Sequence, residues 1–196
     1  MSIRRYLYEK MVICLFYHSF MKKLANLEFW LRGPVPGIAP LLQPAAHALL
    51  QAREDVNALM EGFPEEKLWD RPGGVASPGF HLQHLTGVLD RMLTYARGAA
   101  LSSVQFDYLR TEGKPGVDTM SIVLLRFNQQ IDRALEEIGR TPEGLLTTVR
   151  PVGRDLVPST VGGLIFHAAE HTQRRVGQLL VTVRVLHPAE SSDEGG

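Results

Sequence analysis

Residues 158–183 read PSTVGGLIFHAAEHTQRRVGQLLVTV, and this stretch decides the fold. Pro158-Ser159-Thr160 supplies helix-starting chemistry: a hydroxyl caps free amides, and proline tolerates the first turn. Val161, Leu164, Ile165, Ala168, Val176, Leu179, Leu180 and Val183 then recur at helical spacing, which predicts an amphipathic helix with these side chains towards a core. His167 and His171 stand one turn apart at the edge of that apolar stripe. At about 100° per residue they are neither central nor fully outward. A side chain at such an edge points into a groove between helices, where bundles build metal sites.

Working outward, three more helices are predicted. The breaker cluster Gly33-Pro34-Val35-Pro36-Gly37 delays the first to about residue 40. Leu42, Ala45, Ala46, Leu49, Leu50, Val56 and Leu59 then carry it to residue 60, where Gly62 and Pro64 stop it. Residues 63–76 contain Trp69-Asp70-Arg71-Pro72-Gly73-Gly74, an irregular loop in which Trp69 anchors the chain on the bundle. Ser77-Pro78 starts the second helix, with Leu82, Leu85, Leu89, Met92 and Ala96 on one stripe. Asp118-Thr119 caps the third, carried by Ile122, Leu125, Ile131, Leu135 and Ile138 and ended by Gly139.

The second and third helices are roughly eighteen residues apart by their capping signals, long for an antiparallel hairpin loop. A crossover is expected there, with one short helical turn over residues 104–109. Residues 147–152 have extended character, although an isolated strand pair is marginal. Four amphipathic helices with no strong strand signal predict an all-α four-helix bundle.

Composition sets the outer bounds. The chain has 196 residues, 44% hydrophobic and 21% charged, as expected of one soluble domain with a real core. Of 21 basic and 21 acidic side chains, five and one lie in residues 1–26, which leaves 16 and 20 for the rest. A slightly acidic domain gives no electrostatic footprint for nucleic acid. Met11 to Met21 is an apolar run of eleven residues interrupted by His18, too short to span a bilayer. Lys22-Lys23 follow it without a small-residue cleavage site, so no membrane anchor or signal peptide is expected. Residues 1–26 read as an extension that the fold does not need, consistent with a start assigned too far upstream. Residues 27–187 form the bundle domain, and the polar residues 188–196 a disordered tail. With Cys14 the one cysteine, disulfides and thiolate-rich metal sites are excluded, and a cytoplasmic location fits.

Any metal must therefore sit on nitrogen and oxygen ligands. Two imidazoles four residues apart on a helix can converge on one cation, although such pairs are often only polar boundary residues. This is not the zinc-protease pattern, because Glu170 precedes the second histidine instead of following the first. A third ligand must come from another helix. His84 lies at the edge of the second helix's stripe; His81, closer to the stripe, competes with it as a capped core histidine. His47 on the first helix is a weaker candidate.

Gly79-Phe80-His81-Leu82-Gln83-His84-Leu85-Thr86-Gly87-Val88-Leu89-Asp90-Arg91, followed far downstream by His167-Ala168-Ala169-Glu170-His171-Thr172-Gln173-Arg174, resembles the DinB-like superfamily. This bacterial group includes metal-dependent hydrolases and thiol transferases of the YfiT type. The resemblance runs from about residue 27 to residue 186. It implies an up-down-down-up bundle, often a homodimer, with a divalent metal (zinc, nickel or iron) on His84, His167 and His171. It also implies thiol-dependent transfer or hydrolysis on a small molecule, the reactive group being a metal-bound water or the thiolate of a low-molecular-weight cosubstrate. Three neutral imidazoles leave an open coordination position, the mark of a catalytic site. The family name refers to DNA damage, but nothing in this sequence points to DNA binding.

Lesser candidates surround that set. Glu170 is a candidate proton carrier or acceptor behind a ligand, in competition with a solvated helix-face acid. Asp90 and Arg91 suit an internal ion pair better than contact with an anionic cosubstrate. Gln173 and Arg174 are placed at the rim, and Glu54 and Asp55 read as exposed charges. The competing reading of the whole chain is a non-catalytic, stress-associated binding bundle.

Overall fold

The computed structural model describes residues 26–187, so expectations for Cys14, His18, the rest of residues 1–25 and the tail from 188 lie outside the described residues. Residues 26–34 belong to a compact unit separate from that of residues 35–187. Within the first, Phe29–Leu31 form a 3-10 turn, and the Arg32 guanidinium lies 4.0 Å over the Phe29 ring.

In the second unit, a 3-10 turn at Pro40–Leu42 leads into α1, Gln43–Met60. Helix α2 spans Pro78–Ala96, capped by the Ser77 hydroxyl, which accepts from the Phe80 amide. The crossover holds α3, Ser103–Thr111, closed at its start by a reciprocal box between Ser102 and Gln105. Helix α4 is Met120–Arg140, and α5 is Val161–Leu186. The four long helices share one core: Leu49, Val56 and Met60 from α1, Leu82, Leu85 and Leu89 from α2, Phe127, Ile131 and Ile138 from α4, and Ile165 and Leu179 from α5 are fully buried. Helix α5 packs on both α1 and α2, and α2 packs in turn on α4. The chain is thus mainly helical, as expected.

Three details differ from expectation. Residues 149–152 do form a strand, β1 (Val149–Val152), paired antiparallel with β2 (Val157–Thr160), with Val149 opposite Thr160 and Val152 opposite Val157. The hairpin is not isolated. Arg150 donates through Nε to the Ala96 carbonyl at the end of α2 (2.9 Å), and Thr160 doubles as the side-chain cap of α5. Pro158 and Ser159 therefore lie in a strand, not in a helix start. Second, Ile122 and Leu125 are exposed, because α4 turns Val123 and Phe127 inward instead. Third, Leu180 faces out of the bundle while Leu179 fills the core.

The loop before α2 is pinned as expected. The Leu68 carbonyl accepts from the Gly79 amide (2.7 Å), and the Trp69 ring lies over Gly79 so closely that a methyl there would stand 2.6 Å from it.

Candidate metal centre

Helices α2 and α5 meet where their apolar stripes give way to polar edges, and His84 and His171 face each other across that seam. Their Nε2 atoms are 3.1 Å apart. Behind His84, Nδ1 donates to Glu112 Oε2 (2.8 Å), and Glu112 Oε1 accepts from Arg91 Nη1 (2.6 Å). On the other side, Arg175 Nε donates to His171 Nε2 (3.3 Å). Five side chains from α2, α5 and the end of α3 thus form one chain of contacts: Arg91, Glu112, His84, His171, Arg175.

The seat of Glu112 is built by glycine. A methyl on Gly87 would collide with Glu112 Oε1 and stand 2.6 Å from Arg91 Nη1 and 2.8 Å from the Tyr108 ring. Only a residue without a Cβ lets the carboxylate approach α2 this closely. Gly113, at φ +79°, turns the chain after Glu112 and donates its amide to Gln83 Oε1 (2.8 Å). Tyr108 ties α3 to the same turn of α2 by donating to the Gln83 carbonyl (3.1 Å). Phe80 stacks on His84, with ring centres 5.2 Å apart and planes 10° from parallel. The imidazole is held on its face, on Nδ1 and on Nε2.

The electrostatics favour neutral imidazole. Burial, then the neighbouring His84 and Arg175, push His171 down from 6.5 to about 4. His81 is buried more deeply and also falls to about 4, through burial first and then Arg175 and His84. With Glu112 accepting at Nδ1, the free lone pair of a neutral His84 is on Nε2, the atom aimed at His171.

This arrangement can be tested for fit to a cation. With Nδ1–H of His84 given to Glu112 and Arg175 donating to His171, both facing nitrogens present lone pairs, and at 3.1 Å these repel unless a cation lies between them or His171 takes the tautomer that makes an N–H···N bond. Nitrogens bound to zinc at about 2.0–2.1 Å in tetrahedral geometry stand about 3.3–3.4 Å from each other. The pair is within a few tenths of an ångström of that spacing. A histidine whose other nitrogen is held by a carboxylate is the usual form of a metal-binding histidine. The donor set fits for two ligands. Among the described residues, however, no group of three or more His, Cys, Asp or Glu side chains is arranged to hold a metal ion.

The family model of the DinB superfamily matches residues 48–179, from α1 through most of α5. The chain belongs to the DinB superfamily. Among solved structures, this DinB chain is similar to a conserved protein from Enterococcus faecalis at 13% identity and a TM-score of 0.62. The match covers 74% of this chain and 96% of that one, and at such identity it concerns the fold alone. No curated protein matches.

Within this DinB bundle the expected site residues fall into different places. His84 and His171 are brought together. His167 follows on the exposed side of α5, its ring centre 5.4 Å from that of His171 and its Nδ1 donating to Glu170 Oε1 (2.9 Å). Glu170 also accepts two bonds from Arg174. The slight burial of Glu170 works to raise its pKa, but the bonds from Arg174 and His167 prevail and lower it, which disfavours a proton-carrying role near neutrality. His81 is buried with Nδ1 unpartnered and its ring edge-on to Phe80. His47 is half-buried on α1.

Gln173 is not at the rim; it donates to the Ala48 carbonyl of α1 (2.6 Å). Asp90 and Arg91 each have another partner, Gln105 for the former and Glu112 for the latter. Sequence reasoning missed Glu112 and Arg175. The one available signal for Glu112 was a glutamate beside Gly113 in the crossover, but Arg91 was paired with Asp90 instead. For Arg175 it was a cation four residues after a candidate ligand, and hence on the same helix face.

Proposed function

We propose that this DinB chain binds one divalent transition metal (zinc, nickel or iron) through Nε2 of His84, His167 and His171, and that it is a thiol-dependent transferase or hydrolase acting on a small molecule. The observation that carries the reading is the 3.1 Å approach of two imidazole nitrogens, one of them backed by a carboxylate. Superfamily members commonly bind divalent metals, which supports it. The reading includes a cytoplasmic homodimer with the up-down-down-up helix order and without nucleic-acid or membrane partners. Among the described residues no helix is long and apolar enough to cross a membrane.

In this reading Glu112 fixes the ring and tautomer of His84, and Arg91 fixes Glu112. Phe80 blocks the ring face, and the low pKa of His171 keeps its lone pair available at neutral pH. His167 joins by a change of side-chain conformation, its Nδ1 already held by Glu170. When bound, a divalent ion supplies Lewis acidity to a cosubstrate thiol or water. Because the one cysteine, Cys14, precedes the residues that match the family, 48–179, the thiol in this scheme comes from a cosubstrate.

The competing reading, a binding bundle without turnover, is favoured by the Arg175 bond to His171 and by the exposed setting of His167. Assaying purified protein with zinc, nickel or iron in turn, a small thiol and an electrophilic acceptor separates the two. Turnover that is lost in His84→Ala and His171→Ala supports the enzyme. No thiol-dependent turnover with any of the three metals supports the binding bundle.

A further inference from the structure

The Arg175 guanidinium lies on the lone pair that a metal ion would use. Its Nε donates to His171 Nε2 at 3.3 Å, while its Nη1 donates to the Gln178 side chain at 2.7 Å, which anchors the group one turn along α5. The side chain is half-buried, and its charge reaches His81 as well as His171. An sp2 nitrogen has one in-plane lone pair. The Arg175 N–H and a divalent ion therefore cannot both take it. A guanidinium four residues away shares the helix face of His171, so its charge also opposes an ion bound there.

We propose that Arg175 is a resident cation of the histidine pair, competing with a divalent metal for His171 and lowering metal affinity below what the three histidines alone would give. The inference rests on the metal-binding reading and adds to it a residue that opposes the ligand set. It rests on two observations together: two imidazoles at ligand spacing, and a guanidinium N–H donating to one of the two facing nitrogens. In the Arg175-engaged state the seam is closed by the protein's own positive charge. Loading requires the arginine to leave.

Calorimetric titration of the full chain with zinc chloride alone tests this. Arg175→Met keeps the length and apolar stem but removes charge and donor, and is expected to raise zinc affinity about tenfold or more. Arg175→Lys keeps the charge and is expected to stay within about threefold of the parent on the same grounds. Adding His171→Ala to Arg175→Met is expected to abolish the gain, and circular dichroism checks that each variant keeps its helices. Equal zinc affinity in the parent and Arg175→Met overturns the competition while leaving the metal reading intact. Equal gains in the Met and Lys variants also overturn it, since vacated space and not charge would then be the cause. If zinc binds neither the parent nor Arg175→Met, both readings fall.

Discussion

The molecule builds the same Arg–Glu–His triad twice, once inside and once outside. In Arg91–Glu112–His84 the side chains are 8%, 5% and 15% exposed, and the three residues come from two segments that meet only in the folded chain. In Arg174–Glu170–His167 they are 56%, 34% and 46% exposed and lie within two turns of one helix. The bonds are of similar length, between 2.6 and 2.9 Å in both. Composition and distance therefore do not distinguish the two triads; burial does. In the inner one, little water competes for the carboxylate, so losing a member strands a charge. In the outer one, water replaces any lost partner and salt screens what remains. The inner triad fixes a ring in a buried setting, and the outer one holds His167 by a solvent-exposed bond.

Breaking the inner triad has the largest expected effect. Glu112→Ala leaves Arg91 buried without its carboxylate and is expected to cost about 3–5 kcal/mol in urea unfolding. The same change is expected to weaken zinc binding about 10- to 100-fold, as loss of a carboxylate behind a ligand usually does. A loss below 1 kcal/mol would mean that the inner triad is as soft as the outer. Gly87→Ala attacks the same seat from the other side. The added methyl meets Glu112, Arg91 and Tyr108 and is expected to cost about 1–3 kcal/mol.

Acid is expected to act on the inner region from pH 6.5 downwards. His81 and His171 both stand at about 4 in the folded chain against an ordinary 6.5. Below 6.5 the unfolded chain takes up protons that the folded one refuses, so stability present above 6.5 is lost as pH falls towards 4. His81→Phe is expected to flatten that slope in metal-free protein; unfolding midpoints measured from pH 7 to 4 decide. Smallest of all, Glu170→Gln is expected to change stability by less than about 1 kcal/mol, because its pair with Arg174 is solvated. A larger loss in urea would remove the contrast between the triads.

What could be read in advance follows the same division. The starts of α2 and α4, the stripe of α2 and the edge position of His171 are local properties, written within a few residues, and they are legible, whereas Pro158 and Ser159 join a strand ahead of the α5 cap at Thr160 and His167 stands exposed. The stripe of α4 was misjudged at Ile122 and Leu125 because several apolar residues in its first turns offer two faces, and the neighbouring helices choose Val123 and Phe127. The hairpin was discounted because four-residue strands rarely stand alone; Arg150 on the end of α2 and the α5 cap support it. Glu112 was invisible because its role depends on a crossover folding back over Gly87, a contact between segments with no shared periodicity. Arg175 was within view, one turn beyond His171, but its choice of partner is a tertiary outcome.

The central claim is that the His84–His171 seam is a metal-binding seam. Elemental analysis of the purified chain after equilibration with excess zinc and removal of unbound ion tests it most directly. About one zinc per chain is expected, lost in His84→Ala and in His171→Ala and reduced in His167→Ala. Zinc content that is unchanged in all three variants would contradict it.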